Sequence, residues 1–462
     1  MLKEKHDCQS PGKAVIYQIK KTLHHHFSEL VPQLASLPDS RDRIEYTTED
    51  LAMCGINMFL FKEGSRNAFN NDRKDPVFKE NYTKLFNLKF PHLDTTDDYF
   101  RVLPEEYLED VKAFCINSLI RRKVLQNYKY KGYYTVAIDA TGAATFKERH
   151  CDSCITKTYK NGTTLYFHHV LEAKLITPSG LSFSIASEWI GNEKKKEYQK
   201  QDCERAAFKR LAAKIKKKYP RLPILLIADG LYPYKGFFDI CKKHNWGFIV
   251  TLKDGNLKLL QEEISLEKLL NSAQQGERKR VGKDRITTTM CNWLTELDYM
   301  GHKLNWVECT ENVTIKGKGT VKKQRFVHIT NLHINNKLCV GISDVGRLRQ
   351  KIENEGFNIQ KNHGYDLEHL YSRVSFLAMK NFYQALQIAH IINQMVQASK
   401  NIATLVKKKL KCTIKYLWKR LMSFMLEREI DQKELKKLTS KRFQIRLERA
   451  KAGDVLLREI RK

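Results

Sequence analysis

At 462 residues the chain exceeds one ordinary domain and has room for two to four, and a 42% hydrophobic fraction with only 22 glycines and 10 prolines excludes a disordered or fibrous polypeptide. Its 82 Lys and Arg residues against 52 Asp and Glu give a formal net charge of +30, spread along the whole length. Such a surplus favours a polyanionic partner, through phosphate contacts and counterion release, and argues against an acidic one. The opening MLKEKHDCQSPGK has no apolar core of a secretory signal, and no run approaches the roughly 20 apolar residues of a membrane helix. The expectation is a cytoplasmic protein. Its eleven cysteines then read as reduced thiols, with room for one metal site, rather than as a disulfide framework.

Residues 1 to about 130 read as helical. AVIYQIKKTLHHHFSELV and TTEDLAMCGINMFLFK carry apolar residues at helical spacing, the second behind a Thr cap, and EEYLEDVKAFCINSLIRRKVLQ has early acids and late bases, as the helix dipole prefers. The texture changes at Gly132. YYTVAIDATG reads as a strand ending in Asp139 before a glycine turn, followed by strands in LYFHHVLEAKLI and LSFSIASEWI around the turn TPSG. A basic helix from about Cys203 to Lys218, the buried-type strand PILLIADG ending in Asp229, a helix near Tyr234 to His244 and the strand WGFIVTL follow. Three hairpin-capable strands and then alternating helix and strand predict an α/β fold with a mixed sheet covered by helices.

From 255 to 341 the pattern is β-rich again, in RITTTMCNWLTEL, HKLNWVECTE and QRFVHITNLHI, and reads as an insertion. Helices resume in VGRLRQKIENEGFN and SFLAMKNFYQALQIAHIINQMV. The domain reading is therefore a helical region 1–130, an α/β core 131–254 and 342–400 split by the insertion, and a basic helical tail 401–462.

Asp139 and Asp229 each follow a predicted strand, where polar groups of an open α/β sheet meet a ligand. Two such aspartates and a carboxylate on a later helix supply the hard oxygen ligands that divalent-metal phosphoryl transfer needs, with two Mg²⁺ or Mn²⁺ roughly 3.5–4 Å apart.

Together AIDATG, IADGLY and RLRQKIENEGFN resemble, in this order, the three catalytic blocks of bacterial insertion-sequence DDE transposases, which have a ribonuclease-H-like core. The β-rich stretch between the second Asp and the Glu resembles the subgroup whose third block is the YREK signature. The resemblance spans about residues 130 to 370. It implies metal-binding Asp139, Asp229 and Glu353, with Arg349 four residues before Glu353 on the same helix face, holding a phosphate. The signature's Tyr position is Gly346, and its Lys is displaced by one to Lys361. The resemblance further implies cleavage at transposon ends and strand transfer, double-stranded DNA partners (terminal inverted repeats and target), a homodimer in the synapse, and a bacterial, nucleoid-associated location when bound. Trp293 and Trp306 become candidates for stacking on an extruded base.

Glu353 is preferred to Glu355 and Glu368 on geometry. Ile352 and Phe357 can bury one edge of its helix while Glu353 faces the metals; Glu355 points about 160° away at roughly 100° per residue. Glu368 lies past an Asn-His-Gly turn signal, on a following helix. Separately, Cys151 and Cys154 have the spacing of a zinc knuckle that His150 and His168 or His169 would complete, though the same residues read equally as reduced thiols beside strand histidines. The rival functions are a ribonuclease-H-like nuclease that cleaves without joining, and a non-catalytic, transposase-derived DNA-binding protein.

Overall fold

A computed structural model describes residues 10–192, 202–270, 272–317 and 319–448. The first nine residues of the opening segment read for a signal, and the last fourteen of the basic tail, lie outside the described residues.

The described strands are β1 (Tyr134–Phe146), β2 (Ile155–Thr158), β3 (Thr164–Ile176), β4 (Ser182–Ile190), β5 (Ile224–Ala228), β6 (Gly247–Thr251), β7 (Gln274–Val281), β8 (Arg285–Tyr299), β9 (His302–Ile315) and β10 (Gly319–Thr330). They form one mixed sheet in the order β2-β3-β1-β5-β6-β10-β9-β8-β7, with β4 also paired to β3. β1, β3 and β4 are antiparallel, whereas β5 and β6 run parallel to β1, each reached through a helix. The molecule is thus mixed α/β with helical regions at both ends, as its residue pattern predicts.

Side-chain alternation explains the layers. Val136, Ile138, Leu226 and Val250 point to one face and are covered by Phe208 of the Glu204–Lys218 helix and by Phe237 and Phe238 of the Lys235–His244 helix. Ala137, Leu225, Ile227 and Ile249 point to the other, against Ile342, Val345, Ile352 and Phe357. The five residues of β5, Ile-Leu-Leu-Ile-Ala, are apolar without alternation because both faces are covered.

Three expectations need correction. The β-rich stretch 255–341 is not a body apart: β7 to β10 form an antiparallel meander that joins the main sheet where His328 to Thr330 pair with Ile249 to Thr251. The helical ends are not separate either. Tyr17 of the Pro11–His26 helix hydrogen-bonds Glu434, Asn81 Nδ2 donates to the Met425 carbonyl at 2.9 Å, and Trp418 Nε1 donates to the Leu60 carbonyl at 2.9 Å. These contacts join side chains far apart in the sequence, and no local periodicity signals them. Finally, not all thiols are free: Cys291 and Cys309 oppose each other across β8 and β9 and are joined as a disulfide.

The Thr48–Phe61 helix begins with a capping box, in which Asp50 N donates to Thr47 Oγ1 and Thr47 N to Asp50 Oδ2. It is buried nearly all round, against the Phe376–Ala398 helix among others. Among the described residues no helix is long and apolar enough to cross a membrane.

Candidate functional site

β1 carries Asp139. The strand does not end there: it continues to Phe146 alongside β3, with a register shift between Gly142 and Ala144, so Gly142 serves a bulge rather than a turn. What ends at this level is the neighbour. Tyr134 is level with Ile224 and Ala137 with Ile227 on parallel β5, and the same register two residues further sets Asp139 level with Asp229, just past the last residue of β5. Neighbouring strands lie about 4.8 Å apart, so the two carboxylates open into one crevice at the strand ends.

Asp229 is held by its own turn, its Oδ1 accepting from Leu231 N at 2.9 Å. Its Oδ2 pairs with Lys253 Nζ at 3.1 Å. The third carboxylate comes from the segment after the Cys339–Arg347 helix, a π-helical turn over Ile352–Phe357. Ile352 and Phe357 are buried there, as the spacing predicts, and Glu353 faces out. Arg349 joins the groups: Nη1 lies 2.9 Å from Asp139 Oδ2 and Nη2 lies 2.6 Å from Glu353 Oε1.

A fourth carboxylate escaped the sequence reading. Glu204 opens the Glu204–Lys218 helix, accepts a long hydrogen bond from Tyr232 Oη at 3.4 Å, and is pushed above the usual carboxylate range by burial and then by the Asp229 charge. An acid in a first helical turn is an ordinary dipole-complementing residue, and that bland signal hides it. Crowding also marks Asp139. Burial, with the charges of Glu353 and Glu204, outweighs the Arg349 guanidinium and raises its carboxyl from 3.8 to about 7.

This shift has a testable sign. The metal-free fold prefers protonated Asp139, so its contribution to stability is complete below the unfolded value near 4 and is lost as pH rises to about 7. In the presence of chelator, Asp139→Asn is expected to be more stable than wild type at pH 8, by up to about 4 kcal/mol, with the gap closing towards pH 4. A variant that melts below wild type at pH 8 contradicts this assignment of the crowding.

The remaining predicted residues have other partners. Lys361 pairs with Glu368 at 2.6 Å. Glu368 sits in a turn, not on a following helix, because the chain bends at Gly364 with a positive φ of 83°. Trp293 and Trp306 are 3% and 2% exposed, packed among core residues, with Lys268 Nζ 4.5 Å from the Trp306 ring centre. Neither ring offers a free face, so the base-stacking role is set aside. Gly346 has a steric reason: a Cβ there would fall 2.6 Å from the His328 ring, leaving no space for a tyrosine. At 360, one step before Lys361, a buried Gln donates to Gln387 Oε1 at 2.8 Å and accepts from Lys174 Nζ at 3.4 Å. His150, Cys151, Cys154 and His168 come together elsewhere, at the outer end of β1.

No protein-family model matches this chain, and no curated protein matches it.

One cleft adjoins Asp229, and a second, with Glu311 and Asp344 beside the basic residues of its lining, meets it at Arg347. The first, of about 470 Å³, has Lys253, Arg325, Arg347 and Arg349 in its lining. The second, of about 660 Å³, shares Arg347 and adds Arg280, Arg285, Lys322 and Lys351 from the meander and the third block.

Proposed function

We propose that this protein is a DDE-type DNA transposase with a ribonuclease-H-like core, cleaving strands at transposon ends and joining the freed 3′-hydroxyl to target DNA. The observation that carries the reading is the pairing of Asp139 and Glu353, from separate blocks, through Arg349, with Asp229 one strand away from Asp139 in the register of β1 and β5. The order of three antiparallel strands, then two parallel ones reached through helices, supports the core assignment.

The donor set suits Mg²⁺ or Mn²⁺. All donors are carboxylate oxygens, and burial, with the neighbouring Glu353 and Glu204 charges, raises Asp139 in a way that a bound cation would offset. Asp139, Asp229 and Glu353 would hold such ions, which would supply Lewis-acid activation of the attacking oxygen and neutralisation of the leaving one. The protein's own groups do the rest. Asp139 and Asp229 hold fixed positions on a rigid sheet, and Glu353 closes the site from the third block. Arg349 has five N–H donors, more than its two carboxylate partners engage, and keeps donors for a phosphate oxygen. Lys253 sets a second positive charge at the Asp229 side. The basic clefts give double-stranded DNA a path to the crevice.

The test is a pair of assays on DNA carrying the element's terminal inverted repeats. Mg²⁺-dependent nicking at the ends, followed by joining of a pre-cut end to plasmid, is the expected result. Nicking without joining would reassign the protein as a ribonuclease-H-like nuclease, and binding without either would make it a transposase-derived DNA-binding protein. The homodimeric synapse predicts that end-bound complexes hold two chains.

A further inference from the structure

The outer half of β1 passes beyond β5 and runs on with β3, and the chain then turns through residues 147–154 before β2. In that turn Cys154 N donates to the Cys151 carbonyl at 3.2 Å, which brings both thiols to one side. His168 reaches them from β3, level with Ala144 of β1. Cys151 Sγ lies 3.9 Å from Cys154 Sγ, and His168 Nε2 lies 3.5 Å from the first sulfur and 3.6 Å from the second.

These three distances are the edges of a tetrahedral face. With Zn–S about 2.3 Å and Zn–N about 2.0–2.1 Å, tetrahedral geometry separates two sulfurs by about 3.8 Å and sulfur from nitrogen by about 3.5 Å. Hydrogen bonding alone accounts for only part of the arrangement. A neutral imidazole nitrogen has one lone pair and accepts one S–H, yet both sulfurs stand at the same distance from the same Nε2.

The fourth corner is available. His150 offers a ring nitrogen within 4.8 Å of ligand atoms on Cys151 and His168. Its Nε2 is engaged with the Arg373 carbonyl at 2.9 Å, while its Nδ1 is buried with no protein partner. A carbonyl on one ring nitrogen and a metal on the other is how ligating histidines are oriented. Both rings are fixed by stacking, His150 on Phe146 at 4.5 Å and His168 on Phe376 at 3.9 Å between centres.

We infer that Cys151, Cys154, His168 and His150 form a structural zinc site, separate from the carboxylate crevice. Four protein ligands close the coordination sphere and leave no position for substrate, so the site is structural rather than catalytic. It ties the 147–154 turn to β3, and through Arg373 and Phe376 to the start of the Phe376–Ala398 helix. The inference stands whether or not the crevice cleaves DNA.

Metal analysis of the full-length protein purified without chelator is expected to give about one zinc per chain, falling below about 0.1 in Cys151→Ser/Cys154→Ser. Cys203→Ser, an exposed thiol elsewhere, should leave the content unchanged. To keep the test independent of the double variant's folding, Co²⁺ loading of the wild-type chain provides the second reading. Intense tetrahedral d–d bands with thiolate-to-cobalt charge transfer are expected. A wild-type protein with no zinc and only the weak spectrum of octahedral cobalt overturns the proposal, as does full zinc retention in the double variant.

Discussion

On the proposed two-metal function, Asp139→Asn, Asp229→Asn and Glu353→Gln are each expected to lose on the order of 10³-fold or more in Mg²⁺-dependent cleavage, because a metal ligand would control several kcal/mol of transition-state charge stabilisation and each tenfold in rate is about 1.4 kcal/mol. DNA affinity should stay near wild type, since the basic clefts that would carry binding are intact in all three. The neighbouring acids supply the contrast. Glu355 pairs with Lys351 at 3.1 Å and borders Gly180, away from the crevice, so Glu355→Gln should be nearly silent. Glu368→Gln only frees Lys361 from its partner and should weaken activity partly. Glu204→Gln tests the acid that the sequence concealed, and falls between these limits if Glu204 supports the cluster by charge. Gel-based end cleavage, measured beside fluorescence anisotropy on the same DNA, checks the whole set. An inactive Glu368→Gln beside an active Glu353→Gln would assign the third carboxylate to the other segment, and lost binding in the aspartate variants would indicate a folding role.

What the residues announced, and what they withheld, follows from the range of the forces involved. Strand alternation and unbroken apolar runs are local, so β1, β3, β4, β5 and β6 could be read directly, with Asp229 just beyond β5. The Arg349–Glu353 pair was legible because helical geometry fixes neighbours four apart, and the pairing survives the π-helical turn between Ile352 and Phe357. The Thr47 cap was legible for the same local reason. Long-range pairing was not. Nothing near Gly319 to Thr330 states that this strand joins β6, so the meander looked like an insertion rather than a sheet extension. Trp293 and Trp306 alternate as readily towards a core as towards a ligand, and burial decided between the two. Asp139 looked terminal because Gly142 follows it, and only the pairing with β3 shows that the glycine serves a bulge. Glu204 became visible only when the fold brought its helix start to the ends of β1 and β5.

Affinity for DNA is expected to fall on the order of 10³-fold between 50 and 200 mM salt, the loss typical of a protein making 6–10 phosphate contacts. The net charge of +30 sets the sign, and the exposed basic residues of the meander are where such contacts would fall. Lys279 and Arg280 on β7 and Lys322 and Lys323 on β10 are exposed on the meander, and Arg280 and Lys322 line the larger cleft, which shares Arg347 with the cleft beside Asp229. Arg347, paired with Glu311, is thus the point where the meander cleft meets the cleft beside Asp229. Removing Lys322 and Lys323 together by alanine substitution should lower the slope of log affinity against log salt by about 2, roughly one per lost contact, and weaken end-containing and random DNA alike. Fold stability should hardly change, since both side chains project into solvent at the far end of the strand. Fluorescence anisotropy over a salt series reads both effects. An affinity that stays flat with salt would show that the surplus charge does not serve nucleic acid, and an unchanged slope in the double variant would move the DNA path off the meander.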